Sequence, residues 1–209
     1  MKHIIVIALT LFLAVFVMAQ ERNYISTCGK TKTSVKWSEE HKDGKIYLNT
    51  VQGNERHEYI LDNAYKTESW KIINPVSNTN LTVSLKNGKY SISGKFNGKP
   101  ISKTVKSNGK PWYQNIAYNG GLTLKNGNSL EYECFRPDNI KLYTMSATKK
   151  GVEKLDGRNT VKIEVCLTGF MSVFWSCDYY FDTTTLMFVG YKGVNGGPGT
   201  PETKISISR

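Results

Sequence analysis

The chain is poor in the residues that most catalytic and metal sites need. It has three histidines and four cysteines in 209 residues. No two cysteines have CxxC spacing, and GxSxG, HExxH and a phosphate-cradling glycine loop are all missing. Beyond the first nineteen residues only His41 and His57 remain, both in polar, turn-like surroundings. These absences disfavour a structural zinc site, a serine hydrolase of the nucleophile-elbow kind and a nucleotide-binding loop. No enzyme, metal or cofactor is expected. The carboxylate pairs Glu131 with Glu133 and Asp178 with Asp182 satisfy a glycosidase only in the loosest sense, because alternate residues on any solvated strand face are spaced that way.

Long apolar runs are also scarce. The only one lies at the start, Ile4 to Met18, behind Lys2 and ahead of Val17-Met18-Ala19. It is shorter than the roughly 20 residues of a spanning helix and has the layout of a cleaved leader, residues 1–19. No transmembrane segment is expected after its removal. The remainder, Gln20 to Arg209, has a length suited to a single domain and an exported, periplasmic or extracellular, location. In that compartment Cys28, Cys134, Cys166 and Cys177 are expected to form disulfides. Their connectivity stays open. Cys166 and Cys177 are closest in sequence, yet Cys166 alternates with Lys162 and Glu164 while Cys177 alternates with Val173 and Trp175.

Acidic residues are missing from the middle of the chain. Leu81 to Leu130 contains eight lysines and no Asp or Glu, whereas Glu131 to Lys192 has eight of each sign. The ladder runs from Lys86 to Lys125 and includes Lys89, Lys95, Lys103 and Lys106. It is a candidate anion-binding surface for an acidic envelope polysaccharide or another anionic surface. The plainer reading is that lysines on strand edges discourage edge-to-edge aggregation. Nucleic acid is the least suitable polyanion for an exported chain without a binding motif.

What is abundant is turn chemistry. Asn-Gly pairs recur at 87, 97, 108, 119 and 126, and this pair accepts the positive φ values of tight hairpins. Between them apolar residues alternate: Leu81, Val83 and Leu85; Tyr90, Ile92 and Phe96; Ile101 and Val105; Trp112, Ile116 and Tyr118; Leu130, Tyr132 and Cys134. A period of two marks half-buried strands. Further strands are expected over Ile140 to Thr148, Val161 to Leu167, Met171 to Phe181, Leu186 to Tyr191 and around Ile205. Thr31 to His41 reads as a short helix. The expected fold is mainly β: an antiparallel sheet curved strongly into an open barrel or β-roll, with little helix.

The stretch Val161 to Lys192, VKIEVCLTGFMSVFWSCDYYFDTTTLMFVGYK, combines a strand, an aromatic strand ending Tyr-Tyr-Phe-Asp, a threonine-rich turn and a return strand ending Gly-Tyr. It resembles the C-terminal half of a family of bacterial exported proteins of unknown function. More distantly it is similar to periplasmic lipoprotein carriers of the LolA and LolB type. That likeness implies an open antiparallel barrel with an apolar hollow and no catalytic residues. The helices that cover such a hollow are not found in this sequence. The expected function is noncatalytic binding of a lipid or other apolar molecule on a concave sheet, with Trp112, Tyr118, Trp175 and Tyr179 as candidate ligand-binding residues.

Overall fold

The computed structural model describes residues 20–173, 175–194 and 199–208. The leader expected over residues 1–19 lies outside them. The described residues form fourteen strands: β1 (Gln20–Cys28), β2 (Thr31–Lys42), β3 (Lys45–Gln52), β4 (Glu55–Leu61), β5 (Thr67–Asn74), β6 (Thr79–Lys86), β7 (Lys89–Phe96), β8 (Lys99–Lys106), β9 (Ser129–Arg136), β10 (Lys141–Leu155), β11 (Arg158–Leu167), β12 (Ser176–Asp182), β13 (Phe188–Val194) and β14 (Glu202–Ile207). One helix, α1 (Ile116–Thr123), lies between β8 and β9, and a 3-10 turn spans Gly169–Val173.

All strands belong to one antiparallel sheet in the order β8-β7-β6-β5-β4-β3-β2-β1-β14-β13-β12-β11-β10-β9. Strands adjacent in sequence are adjacent in space, with one addition and one break. The first and last strands pair, with Tyr24 opposite Ile207 and Cys28 opposite Thr203. The break falls between β8 and β9, which leaves the sheet open, as the sequence leads one to expect.

Four hairpins follow directly from their turn dipeptides. Asp43-Gly44, Asn87-Gly88, Asn97-Gly98 and Asp156-Gly157 all have positive φ at both residues, between 49° and 81°, the geometry whose twist matches that of paired strands. The remaining Asn-Gly pairs do something else. Asn108-Gly109 sits in the bend after β8, Asn119-Gly120 is inside α1, and Asn126-Gly127 follows it. Trp112, Ile116 and Tyr118 therefore do not form a strand, contrary to the sequence expectation. Residues 107–115 enter the curl of the sheet, and α1 turns back through it.

Helix α1 reads Ile-Ala-Tyr-Asn-Gly-Gly-Leu-Thr, a poor helix former by intrinsic preference. Close contact explains it. A Cβ at Gly120 would stand 2.8 Å from the Phe181 ring, and one at Gly121 would stand 2.3 Å from the carbonyl oxygen of Leu186. Only glycine lets the helix lie this near β12. The side chain of Asn119 donates to the Tyr65 carbonyl at 2.7 Å, which fixes the other side.

Two further expectations are corrected. Thr31 to His41 is strand β2, not helix: Val35 and Trp37 turn inward at alternate positions, and partners on both sides, β1 and β3, satisfy its backbone. The first part of Met171 to Phe181 is the 3-10 turn, and the strand starts at Ser176.

The sheet rolls past its own edge. β9 lies within the curl, so Glu133 and Phe135 face β5 and β7 while Tyr132 and Cys134 face the opposite way. Phe135 meets Trp70 at 6.3 Å between rings. Glu133 is wholly buried and accepts hydrogen bonds from the Tyr90 hydroxyl at 2.6 Å, the Ser107 hydroxyl at 2.8 Å and the Asn108 amide. Residues 111–113 run parallel to β9, with Glu133 N donating to Pro111 O and Tyr113 N to Glu133 O. A polar latch thus joins the two sides of the break where no ladder does. β8 overhangs, exposed along most of its length.

All four cysteines are free, which corrects the disulfide expectation. Cys177 stands opposite Val165 and Cys166 opposite Ser176, so the side chains of Cys166 and Cys177 point to opposite faces of neighbouring strands. Cys28 shares a row with Cys177 through Thr203 and Gly193. Three strand spacings separate them by about 14 Å, twice what a disulfide spans.

Candidate ligand cavity

The roll has two ends. The plugged end carries the β2–β3, β4–β5, β6–β7, β10–β11 and β12–β13 turns. The open end carries the β1–β2, β3–β4, β5–β6, β7–β8 and β9–β10 turns and the β11–β12 connection. Helix α1 fills the concave space toward the plugged end, where Tyr118 meets Tyr65 at 6.3 Å and the Arg22 guanidinium lies 5.7 Å above the Tyr118 ring. Arg22 is neutralised there by Glu39 at 2.6 Å, each side chain only 11% exposed.

Between the first turn of α1 and the open end lies a cavity of about 190 Å³. One wall is a chain of rings. Trp37 stacks on Phe188 (5.4 Å, 11°), Phe188 meets Tyr179 (6.2 Å), and Tyr179 meets Tyr191 edge-on (5.0 Å). Alternation along β2 and β12, together with a bulge at Val189 that shifts β13 by one residue between Phe188 and Tyr191, puts all four on the concave face. Val35, Ala117 and Ile205 complete the apolar lining, and Gln52 marks the opening near the end of β3.

The facing wall is polar and internally satisfied. On β4, His57 stacks between Tyr59 and Trp70. The Trp70 indole N–H donates to His57 Nδ1 at 3.0 Å, which leaves Nε2 to carry the proton toward Glu55 Oε1 at 2.7 Å. That hydrogen bond is the main reason the Glu55 carboxyl is held below the ordinary glutamate range. Gln114 is spent on structure, accepting from the Trp112 indole and the Phe135 amide and donating to the Phe135 carbonyl. Burial raises the Tyr59, Tyr179 and Tyr191 hydroxyls, so they stay neutral. Burial also pushes the Cys134 and Cys177 thiols up to about 12. No lysine or arginine is among the described residues lining the cavity.

Of the candidate ligand residues, Tyr179 lines the cavity. Tyr118 stands behind it, 6.4 Å from Trp37. Trp112 is buried against Tyr90 at 5.1 Å, under β7. Trp175 sits at the rim of the open end, its indole donating to the Val194 carbonyl at 2.7 Å. Trp37, His57, Tyr59, Phe188 and Tyr191 escaped the sequence reading. For Trp37 the signal was present, since Val35 and Trp37 alternate with Lys36 and Ser38.

The lysine ladder lies elsewhere. Lys86 stands opposite Lys89, and Lys89 opposite Lys106, in one row across β6, β7 and β8. Lys95 faces Pro100, and Lys103 lies opposite Ile92 on the overhanging edge. The placement of Lys99, Lys103 and Lys106 along β8, with Pro100, is that of a protected edge strand.

No protein-family model matches the chain, and no curated protein matches it. Solved structures do. The crystal structure of a β-barrel-like protein of the domain of unknown function DUF1849 from Brucella abortus superposes with a TM-score of 0.63 at 7% identity, covering 92% of this chain and 97% of that one. A DUF1329 family protein from Desulfovibrio piger reaches 0.35 at 10% identity over 93% and 85%. An outer membrane lipoprotein-sorting protein domain from Vibrio parahaemolyticus reaches 0.32 at 9% identity over 90% and 83%. The likeness to the Brucella protein is one of fold. It agrees with the resemblance to proteins of unknown function read from Val161 to Lys192.

Proposed function

We propose that this is an exported, noncatalytic binding protein that holds part of a lipid or other apolar small molecule in the cavity between α1 and the open end. The observation that carries the proposal is the uncharged ring wall of Trp37, Phe188, Tyr179 and Tyr191. At about 190 Å³ the space is below the roughly 300 to 1,000 Å³ of sites that engulf a whole drug-sized ligand. It suits one chain or ring of an amphiphile, with the remainder extending past Gln52. The chemistry supports binding without turnover: both His57 nitrogens are engaged, and thiols held near 12 are not nucleophilic at neutral pH. The leader-like residues 1–19 support export.

Titration with N-phenyl-1-naphthylamine tests the reading, alongside mass spectrometry of a solvent extract of the purified protein. Probe binding is expected, and Ala117→Leu, which fills the cavity, is expected to weaken it about tenfold. If no probe binds and the extract contains no apolar compound, the reading is wrong.

A second reading rests on the Lys86-Lys89-Lys106 row. Like charges directly opposite one another repel, and an acidic polysaccharide laid across them would relieve this. Its binding must weaken steeply with salt, and salt-insensitive binding overturns it.

A further inference from the structure

We propose that the open end of the roll docks on an anionic lipid bilayer, so that the cavity mouth meets the membrane surface. Three large apolar side chains are more than half exposed among the described residues: Phe170 at 82%, Val76 at 79% and Val152 at 68%. Val152 is on the β10–β11 hairpin. The other two project from the open end on opposite lips, Val76 in the β5–β6 turn and Phe170 in the β11–β12 connection. Six strands, β4 through β1 and then β14 and β13, separate them along the sheet.

Val76 is held in its projecting position. Asn74 Oδ1 accepts from the Val76 and Ser77 amides at 3.1 and 3.2 Å, locking a turn whose tip is apolar where polar tips are the rule. Trp175, anchored to Val194, stands at the base of the Phe170 lip and gives that lip an aromatic ring of the kind favoured at membrane interfaces.

Unpaired lysines stand beside the apolar lips. At the open end Lys30, Lys99 and Lys141 are exposed and make no ion pair among the described residues. Of the acids there, Asp138 is matched by Arg136 at 3.1 Å and Glu202 by Lys204 at 3.5 Å and Lys192 at 3.8 Å, while Glu55 is hydrogen-bonded to His57 at 2.7 Å. The plugged end places Asp43, Asp62, Asp156 and Asp182 in its turns, but also the Lys86-Lys89-Lys106 row at the β6–β7 turn. Negative lipid attracts lysines at either end, and the two apolar lips select the open one by entering the headgroup layer. The docking gives the proposed cavity a source for its ligand; it rests on the binding reading for its purpose, while its test stands apart.

Sedimentation with phosphatidylglycerol–phosphatidylcholine vesicles provides that test, with phosphatidylcholine vesicles for comparison. The protein is expected to bind the anionic vesicles at least fivefold more tightly. The double variant V76S/F170S is expected to lose at least fivefold of that binding, and K30E/K99E a similar amount. Lys66→Glu, at the plugged end, is expected to change it less than twofold. All variants should keep N-phenyl-1-naphthylamine affinity in vesicle-free solution. The proposal is overturned if the protein ignores anionic vesicles, if the double variant binds as the parent does, or if Lys66→Glu weakens docking as much as K30E/K99E. Self-association through Val76 and Phe170 in place of vesicle binding also overturns it. Loss of probe binding with vesicle docking intact removes the cavity reading alone.

Discussion

The two ends of the roll are finished by opposite means. At the plugged end a helix with two glycines is pressed against Phe181 and Leu186, a buried Arg22–Glu39 pair sits beneath Tyr118, and the turns are made by Asp43, Asp62, Asp156 and Asp182. At the open end nothing comparable fills the concave face, the ring wall is left lining a cavity, and two turn tips are apolar. The difference teaches that curvature alone does not make a hollow. A continuous antiparallel sheet supplies an apolar concave face along its whole length, and the hollow exists only where the inserted segment stops.

The sharpest way to break this contrast is to push α1 off its seat. Gly121→Val sets a branched side chain against the Leu186 carbonyl, and overpacking of this kind costs about 3 kcal/mol. For a chain of this size that corresponds to a melting temperature lower by roughly 6 to 12 °C, read by thermal unfolding. The same substitution at Gly157, in an open turn with nothing near its Cβ, is expected to cost less, through its positive φ alone.

The next largest effect belongs to the latch. Glu133→Ala strands the Tyr90 hydroxyl, the Ser107 hydroxyl and the Asn108 amide, at a cost of about 2 to 3 kcal/mol. Hydrogen exchange should show β8 and β9 opening first. If β1 and β14 open before them, the break is not held by Glu133.

A smaller change sharpens the open end. Trp70→Phe keeps the ring but removes the donor to His57 Nδ1, costing about 1 kcal/mol. Nitrogen chemical shifts of His57 report the outcome: Nδ1 should move as its bond is lost, and an unmoved Nδ1 signal contradicts the assigned tautomer.

The smallest effect is a pH dependence with a contribution from each end. Hydrogen bonds from the Thr185 and Thr184 amides hold the Asp182 carboxyl below its ordinary value, and the bond from His57 does so for Glu55. A carboxyl lowered in the folded state stabilises the fold above its unfolded value, near 4. That contribution is lost as acid takes pH down through the folded value. Urea midpoints should therefore be flat near neutrality and fall below about pH 4.5, with a shallower fall in Asp182→Asn. A midpoint that rises on acidification contradicts the sign.

The sequence made the strands readable where both of their determinants were local. Tyr90, Ile92 and Phe96 alternate between two Asn-Gly turns, and β7 lies where they say. Val161, Ile163 and Val165 likewise mark β11. Reading failed where a distant contact overrode the local pattern. Trp112, Ile116 and Tyr118 alternate as a strand would, but Gly120 and Gly121 are needed against β12, sixty residues on. Thr31 to His41 reads as a short helix around Val35 and Trp37, but that pair alternates inward on a strand whose backbone is satisfied by β1 and β3 on either side. Of the cavity, Tyr179 alone was legible, since ring residues from β2, β4, β12 and β13 become one wall only after the first and last strands pair.

The sequence by itself determined an antiparallel sheet with its turns, a charge imbalance confined to the middle of the chain and a scarcity of histidine and cysteine, because period-two patterns, turn dipeptides and composition act over a few residues. Only the tertiary structure decided that the sheet breaks between β8 and β9, that Glu133 bridges the break, that the four cysteines are free and that a cavity remains at one end. Those outcomes depend on which faces meet after the sheet has curled, and no local preference encodes that.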